Sequence, residues 1–301
     1  MAIILITGGS GLIGRALTHT LQYAGHTARW LSRTAGTTDG VRRYTWDIEQ
    51  GTVDPESLNG VDHIIHLSGA GIADKRWTGA RMRELHASRG GAARLLLNVA
   101  KKNGVRPKSF ISASGVGYYG AITSDHVFVE TDAAGTDAIA RLTKDWEDAA
   151  DEWSSTCRVV KLRTPMVLAR DGGALKRLSV PFRIGLGAAL GTGKQWMPWV
   201  HIADLVAAYA HAVFDDRMHG AYNVVAAEQP TNTDFMRAVA KALNRPFFLP
   251  NIPAFALRLA LGEMSAILLE GSRARNTRLL SAGMTFRFGS LQSALADTLG
   301  R

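Results

Sequence analysis

Short apolar runs alternate along the chain with longer segments whose apolar residues recur every three or four positions. The short runs predict strands buried on both faces of a sheet, and the longer segments predict helices packed on that sheet. Their alternation is typical of an α/β fold with a doubly wound parallel sheet. The predicted strands are 3–6, 27–31, 44–47, 62–67, 109–113, 158–162 and 222–225, and the helices begin at 12 and then span 79–103, 138–153 and 203–214.

The pattern changes after residue 165. Residues 171–197 are rich in glycine and basic side chains, which predicts an excursion away from the sheet. From residue 231 onward the spacing is mostly helical, over 232–243, about 253–269 and 290–299. We therefore predict two domains, with the smaller, mostly helical one over the carboxyl ends of the strands, where ligands bind in such folds. The sheet domain comprises 1–165 plus about 198–228, and the smaller lobe comprises about 166–197 plus 229–301.

The first predicted strand runs directly into a glycine-rich turn that opens the first helix. Strand, glycine turn and helix in this order are the context of a dinucleotide-binding site. Gly8 permits the tight turn, Gly11 lets the backbone approach a pyrophosphate, and Gly14 lets the helix pack closely on the strand. An ordinary glycine-rich turn is the alternative. The cofactor-binding candidates at this turn are Gly8, Gly11, Leu12, Ile13 and Gly14.

The residues at the end of the second predicted strand indicate whether the cofactor is NAD(H) or NADP(H). An acidic residue there would bind the ribose 2′-OH of NAD, whereas an arginine accommodates the 2′-phosphate of NADP. Here the strand ends in Ser32 and Arg33 without a carboxylate, which favours NADP(H) over NAD(H), with a plain surface arginine as the alternative. Asp47, after the third predicted strand, either accepts from the adenine amine or caps a turn. After the fourth, Leu67, Ser68 and Gly69 suit close approach to a cofactor.

The charge balance invites a different interpretation. The net charge is +9 and the pI is about 9.9, as in many nucleic-acid-binding proteins. The basic residues are spread along the chain, however, and the densest cluster, Arg273, Arg275 and Arg278, has no interleaved aromatic residues. We therefore expect no nucleic-acid partner.

The remaining composition bears on the compartment. The most apolar late stretch, 253–269, is interrupted by Arg258, Gly262 and Glu263, so we predict no membrane-spanning segment and no membrane partner. Cys157 is the single cysteine, which excludes an intramolecular disulfide and indicates a reducing, cytoplasmic compartment. We expect no metal site.

Taken together, the motifs resemble the extended short-chain dehydrogenase/reductase superfamily, and within it the YfcH-type epimerase-family proteins. The motifs are ITGGSGLIGRAL (6–17), LSGAGIADKRW (67–77), SASGVGYYG (112–120), TKDWEDAA (143–150), LRTPMVLARDGG (162–173), PFRIGLGAALGTGKQ (181–195) and WVHIAD (199–204). The resemblance implies a Rossmann-type NAD(P)-binding domain and a small substrate lobe, whose family-specific part covers about 247–299.

The resemblance also implies a set of cofactor contacts. Three of them carry alternatives, a solvated helix face for Glu84 and Arg89 and a core position for Val167. The implied contacts are Gly8, Gly11, Gly14, Ser32, Arg33, Leu67, Ser68, Glu84, Arg89 and Val167.

The catalytic pattern of that superfamily is incomplete here. Its members use a serine, a tyrosine acting as acid/base, and a lysine four residues after the tyrosine that tunes the phenol. Lys144 matches, but Ala140 stands where the tyrosine belongs. The usual serine position holds Gly115, with Ser114 one residue earlier and pointing the other way by alternation.

Two aromatic side chains are candidates to replace the missing groups, and each has a structural alternative. Tyr118 follows the fifth predicted strand and is either a replacement phenol or an aromatic packed under the substrate lobe. His201 is predicted in a loop facing the cleft, as a general acid/base or as a structural histidine. We assign Tyr118, Lys144 and Ser114 as the catalytic candidates.

These observations support an NADP(H)-dependent oxidoreductase or epimerase-like enzyme acting on a small carbonyl or hydroxyl substrate. The alternative is an NADP(H)-binding sensor or scaffold without turnover, which the incomplete Ser-Tyr-Lys set favours. Apart from the small-molecule substrate, the expected partner is at most a second copy of the chain, as a homodimer.

Overall fold

The computed structural model describes residues 1–300, which form one mostly parallel sheet flanked by helices. The strands are β1 (Ile3–Thr7), β2 (Thr27–Ser32), β3 (Gly36–Thr38), β4 (Val41–Asp47), β5 (Thr52–Val53), β6 (His63–His66), β7 (Ser109–Gly115), β8 (Val127–Phe128), β9 (Arg158–Thr164), β10 (Met166–Leu168), β11 (Trp199–His201), β12 (Gly220–Asn223) and β13 (Arg273–Ala274). The helices are α1 (Leu12–Tyr23), α2 (Gly79–His86), α3 (Ala92–Lys102), α4 (Ala138–Asp151), α5 (Gly173–Arg183), α6 (Ile202–Phe214), α7 (Asn232–Ala242), α8 (Ala254–Leu261), α9 (Ala266–Leu269), α10 (Thr277–Ser281) and α11 (Leu291–Leu299).

The central sheet has nine strands, of which those in the order β12-β9-β7-β6-β1-β2-β4 run parallel. β3 and β5 pair antiparallel with β4. The chain fills one side of β1 first and then returns to build the other side from β6, so the order reverses between β1 and β6. Ligands bind at the carboxyl ends of the strands at such a reversal. The predicted fold class, a doubly wound sheet of Rossmann type, is confirmed.

The apolar side chains of each central strand alternate between two cores. Ile4 and Ile6 of β1 pack with α1 and α6, whereas Leu5 packs with α3 and α4 on the opposite face. This two-sided burial is the reason why the strands are apolar throughout rather than alternating with polar residues. A third core lies beyond the sheet, where α5, α7 and α11 pack around Phe235 and Trp199.

Several elements differ from the prediction. The expected helix 79–103 is two helices joined by a π-helical turn at Ala87–Gly91. The expected helix 253–269 is broken at Gly262, whose φ of 62° only glycine adopts readily. The excursion 171–197 contains α5, and the strands of two or three residues were not predicted.

Three further observations concern membrane-spanning helices, metal sites and the single cysteine. Within residues 1–300 no helix is both long and apolar enough to cross a membrane. Over the same range no group of three or more His, Cys, Asp or Glu side chains is arranged to hold a metal ion. Cys157 is half-buried, and burial raises the pKa of its thiol to about 12, which keeps it protonated and unreactive.

Candidate functional site

The glycine turn after β1 forms a cradle over the N-terminus of α1. Gly8 has a φ of 70°, and a Cβ there would lie 2.9 Å from the Leu67 carbonyl carbon. At Gly14 a Cβ would lie 2.5 Å from the Gly8 oxygen, so the helix packs on the turn only with glycine. Gly11 is the N-cap and supplies no side chain to bond the free N–H groups of α1. Those donors and the helix dipole are left for an anion.

A cavity of about 370 Å³ opens in front of this cradle. It contains the predicted turn residues together with Leu67 and Val167, which is half-buried on β10. Four other lining residues were not predicted, because they follow β9 or begin α5, far along the sequence. The lining comprises Gly8, Gly11, Leu12, Ile13, Gly14, Leu67, Pro165, Met166, Val167, Gly173 and Ala174.

The loop after β6 is held against β1 by a buried hydrogen-bond chain. Thr7 Oγ1 lies 2.9 Å from His66 Nδ1 and accepts from the backbone N–H groups of Leu67 and Ser68 at 3.2 Å each. Burial lowers the pKa of His66 to about 4, so the ring is neutral at neutral pH. Thr7 therefore donates to Nδ1, and Nε2 donates to the Arg89 carbonyl at 3.2 Å. The sequence signal for these hydrogen bonds is a polar residue at the end of each of two apolar strands, Thr7 of β1 and His66 of β6.

Arg89 is a buried cation beside the same loop. Its Nη2 donates to the Ala70 carbonyl at 2.8 Å, and its Nη1 donates to the Leu85 carbonyl at 3.3 Å. Its Nε has no partner, and no carboxylate among residues 1–300 pairs with it. Burial, with a smaller contribution from Arg81, lowers its pKa to about 10, so it remains charged. A buried charge without a counter-ion is costly, so this guanidinium fits an anionic group bound next to Gly69. The alternative of a solvated helix face is wrong for Arg89.

Glu84 is exposed, as the alternative of a solvated helix face predicted, but its carboxylate forms an ion pair. Its Oε2 lies 2.6 Å from Nη1 of the buried Arg81. The hydrogen bond from Arg81 lowers the pKa of Glu84 below its usual value. Arg81 also donates to the Gly71 carbonyl, so the pair connects α2 to the loop after β6. Arg81 was not singled out in the sequence.

The end of β2 presents two guanidinium groups. Ser32 donates to the Thr34 carbonyl, which turns the chain after the strand, and Arg33 is exposed beside it. From β4, Arg43 reaches the same segment, with Nη1 donating to Thr34 Oγ1 at 3.4 Å. The first carboxylate after β2 along the chain is that of Asp39. The segment at 32–35 thus combines positive charge with hydroxyl groups, which suits a phosphate.

Asp47 caps a turn, which is the alternative predicted for it. Its Oδ1 accepts from the backbone N–H groups of Glu49 at 2.9 Å and Gln50 at 3.0 Å, which caps the turn after β4. A contact between its other carboxylate oxygen and adenine stays a prediction.

Tyr118 and Lys144 lie on two elements that pack together. Tyr118 lies in a 3₁₀ turn, Val116–Tyr119, directly after β7, and this turn packs on α4. Lys144 projects from α4 into solvent, with Nζ 2.6 Å from Asp148 Oδ2. The hydrogen bond to Asp148, with a smaller contribution from the Tyr118 phenol, raises the pKa of Lys144.

A buried ion pair lies directly beneath Tyr118. Glu147 accepts from Arg163 Nε at 2.7 Å and from its Nη2 at 2.9 Å. The guanidinium carbon of Arg163 lies 3.5 Å from the centre of the Tyr118 ring, and Nη1 donates to the Tyr119 hydroxyl at 2.9 Å. The Tyr118 ring is therefore stacked on a cation that is itself fixed by a carboxylate. The sequence did not indicate this pair.

Ser114 belongs to this buried pair rather than to an open cleft. Its hydroxyl donates to Glu147 Oε1 at 2.6 Å, and the residue is only 4% exposed. The catalytic assignment of Ser114 is thus at odds with its position, because its proton is held by a carboxylate away from any substrate. Ala140 is fully buried on α4.

His201 is not in a loop facing the cleft, so that expectation is wrong. It ends β11 and is buried, with its ring 3.7 Å from the Phe288 ring. Its Nδ1 accepts from the Ala203 N–H and caps α6, and its Nε2 lies 3.1 Å from Asp297 Oδ2. Burial lowers its pKa. The alternative prediction, a structural histidine, is therefore correct for His201.

A second cavity, of about 530 Å³, lies between the N-terminus of α4 and the segment from α8 to α9. Its walls combine the Trp77 side chain and two arginines with carboxylates. The sequence analysis did not assign this cavity, because its two walls are more than a hundred positions apart in the chain. The lining comprises Trp77, Ala121, Asp137, Ala138, Ile139, Arg141, Arg258, Gly262, Glu263, Ser265, Ala266, Leu269 and Glu270.

The fold and the glycine cradle together define a nucleotide-binding protein of Rossmann type. Residues 4–225 match the NAD dependent epimerase/dehydratase family, and residues 252–298 match a domain of unknown function, DUF1731. The chain belongs to the NAD dependent epimerase/dehydratase family, as the sequence motifs predicted.

Relatives align along nearly the whole chain. Epimerase family protein MT2273 of Mycobacterium tuberculosis is 39% identical over 296 residues, which are 98% of this chain and 96% of the relative. The crystal structure of human epimerase family protein SDR39U1 (isoform 2) with NADPH has a TM-score of 0.89 at 33% identity and covers 99% of both chains. UDP-glucose 4-epimerase of Thermus thermophilus, in complex with NAD, shares the fold with a TM-score of 0.78 at 20% identity, covering 99% of this chain and 97% of that one.

Proposed function

We propose that this protein is an NADP(H)-dependent oxidoreductase or epimerase-like enzyme that acts on a small carbonyl or hydroxyl substrate. The observation that carries the proposal is the glycine cradle over the uncapped N-terminus of α1, together with the buried Arg89, which holds the loop after β6 and has an unbonded Nε and no carboxylate partner within residues 1–300. Both features are suited to the phosphates of a dinucleotide. The similar human SDR39U1 was solved with NADPH, which agrees with this assignment.

The residues take the following roles in this proposal. Gly8, Gly11 and Gly14 seat the pyrophosphate, and Arg89 neutralises part of its charge. When bound, the cofactor supplies or accepts a hydride at the nicotinamide C4. Tyr118 exchanges a proton with the substrate oxygen, and Lys144 holds the nicotinamide ribose and supports the phenol. The substrate extends from this pair into the 530 Å³ cavity, whose lining includes Ala121 and Arg141, each three residues from Tyr118 or Lys144 in the chain.

One observation favours the second candidate, an NADP(H)-binding protein without turnover. The hydroxyl of Ser114 is bound to Glu147, and Ala140 provides no phenol, so Tyr118 is left as the sole proton donor assigned to the substrate. A screen of carbonyl and hydroxyl compounds for cofactor-dependent absorbance change separates the two candidates. Turnover of any compound in the screen supports the enzyme, whereas tight NADPH binding without turnover across the screen supports the sensor or scaffold.

The preference for NADPH should depend on Arg33. We expect Arg33→Ala to weaken NADPH binding by about 1–3 kcal/mol, because a charge-assisted contact to the 2′-phosphate is lost. NADH, which lacks that phosphate, should bind with unchanged affinity. Calorimetric titration of both cofactors measures this. Arg106→Ala is the matched control, since Arg106 is exposed just before the amino end of β7, whereas Arg33 follows the carboxyl end of β2. An equal loss for both cofactors would contradict the assignment.

The cradle itself is tested by a larger side chain at Gly11. A Cβ at Gly11 meets only the Gly8 oxygen, at 3.2 Å, so Gly11→Val should fold. Its methyl groups would occupy the space of the pyrophosphate, and we expect binding of either cofactor to be abolished. Gly289→Val is the control, because a Cβ there meets no atom within 4 Å. Unchanged NADPH affinity in folded Gly11→Val protein would place the cofactor elsewhere.

A further inference from the structure

Two segments of the chain carry basic side chains and no acidic ones. Residues 172–203 and 235–262 contain no Asp or Glu, although the whole chain has 26 acidic residues. The two segments include α5 and α8, which lie outside the central sheet. Their basic residues are Lys176, Arg177, Arg183, Lys194, Arg237, Lys241, Arg245 and Arg258. Arg177 and Arg237 pair with carboxylates outside the segments, those of Asp74 and Asp234, whereas the other six basic residues form no salt bridge within residues 1–300 and leave a net positive charge.

Helix α8 is apolar and yet lies on the surface. Its sequence, AFALRLAL, has a single polar residue, Arg258, and none of its eight residues is buried. Phe255 and Leu259 are 72% and 79% exposed. A helix that is apolar around its circumference is ordinarily buried in a core or in lipid. The apolar surface of α8 is thus not accounted for by the packing of residues 1–300.

The end of α5 extends this surface. The Phe182 ring of α5 stacks on the Phe247 ring at 6.3 Å, and the Ile252 N–H donates to the Ala189 carbonyl at 2.8 Å. These contacts place the segment after α5 beside the segment before α8. Together the two segments expose seven large side chains, which we call the apolar face: Val180, Ile184, Leu186, Phe248, Ile252, Phe255 and Leu259.

We propose that the apolar face binds the surface of a membrane that contains anionic lipids. Exposed phenylalanine, leucine and isoleucine side chains on a short helix enter the boundary between headgroups and acyl chains, and surrounding Lys and Arg side chains attract anionic headgroups. The two segments supply both the exposed apolar side chains and the basic side chains, and neither segment contains an acidic residue.

The charge and the shape of the face argue against the other occupants. A second copy of the chain would bring the same basic residues, Arg183 and Arg245 among them, to both sides of the contact, where like charges repel. α8 carries apolar side chains around its circumference, which a fluid interface accommodates. The expectation of no membrane partner rested on the lack of a spanning segment, and surface binding requires none.

Sedimentation of the full chain with lipid vesicles tests the proposal. We expect binding to vesicles of phosphatidylcholine with phosphatidylserine to be at least about tenfold tighter than to phosphatidylcholine alone, and to weaken as salt is added. Phe255→Ser combined with Leu259→Ser should lower vesicle binding by roughly tenfold or more, because two apolar anchors are lost. Arg183→Gln combined with Arg245→Gln should remove most of the phosphatidylserine preference.

The controls are residues of the same type outside the apolar face. Tyr23→Ser removes a 90% exposed aromatic side chain at the end of α1, and Arg106→Gln removes an exposed cation before β7. Both should leave vesicle binding unchanged. All variants should bind NADPH like the wild type, so a failure here is independent of the proposed function.

Four results would overturn the proposal. The first is no binding to either kind of vesicle, and the second is binding that the face variants leave unchanged. The third is self-association without lipid that Phe255→Ser and Leu259→Ser abolish, which would make the face an interface between copies of the chain. Preferential capture of an acidic polypeptide over phosphatidylserine vesicles would likewise assign the face to a protein partner.

Discussion

Tyr118→Phe is expected to lower cofactor-dependent turnover by about 10²–10⁴-fold, the usual loss for a positioned proton donor. NADPH affinity should stay nearly unchanged, because the substitution removes only the phenolic hydroxyl. The ring keeps its place, since its stacking on Arg163 at 3.5 Å does not involve that hydroxyl. Steady-state rates together with a cofactor titration on the same preparation measure both quantities.

The neighbouring tyrosine provides the matched control. Burial raises the pKa of Tyr119 to about 12, and its hydroxyl is held by Arg163 and Asn223, so it keeps its proton. Tyr119→Phe should cost about 1–3 kcal/mol of stability and leave the rate of the folded protein within a few-fold of wild type. Lys144→Met, in contrast, should weaken both turnover and NADPH binding. A Tyr118→Phe rate equal to wild type would remove Tyr118 from the chemistry.

The second large effect concerns the buried pair beneath Tyr118. Arg163→Met leaves the Glu147 carboxylate, only 3% exposed, without its bidentate partner. Breaking one side of a buried ion pair costs about 3–5 kcal/mol, and we expect a loss of that size in the free energy of unfolding. Denaturant titration of the protein without cofactor measures it.

A double-mutant cycle separates the pair from simple loss of packing. Replacing both Glu147 and Arg163 with methionine should cost clearly less than the sum of the two single substitutions, because neither member of the pair is then left buried without the other. Lys161, which lies 3.6 Å from Glu147 and also pairs with Asp151, keeps its Asp151 partner in the double variant. As a control, Arg42→Gln breaks a pair with Glu56 in which both side chains are 65% exposed, and should cost less than about 1 kcal/mol. Additive single effects would mean that Glu147 and Arg163 are not energetically coupled.

The sequence predicted the elements whose hydrophobic periodicity extends over several residues. The parallel strands of the central sheet and the helices α1, α4 and α6 are periodic over several residues, and their order determines the topology. β5, β8 and β13 have two residues each, too few to show a period of two. Gly172, Gly173 and Pro181 are helix-breaking residues that concealed α5, although the helix tolerates them.

The candidate site was predictable where its signal is local in sequence. The glycine spacing and the end of β2 are contiguous motifs whose physical role follows from the strand and helix beside them. Ser114 and Arg163 lie 33 and 16 positions from Glu147, and no spacing rule links β7 and β9 to α4 before the sheet is assembled. A regular helix over 79–103 allows Arg89 a solvated position, whereas the π-helical turn changes which residues point inward and buries it.

Calorimetric titration of the wild-type protein with NADPH and then with NADH tests whether the cradle binds NADP(H) in preference to NAD(H). We expect one site per chain and an NADPH affinity higher by roughly 1–3 kcal/mol, the contribution of the contact between Arg33 and the 2′-phosphate. Equal affinity for the two cofactors, or no binding of either, would contradict this preference.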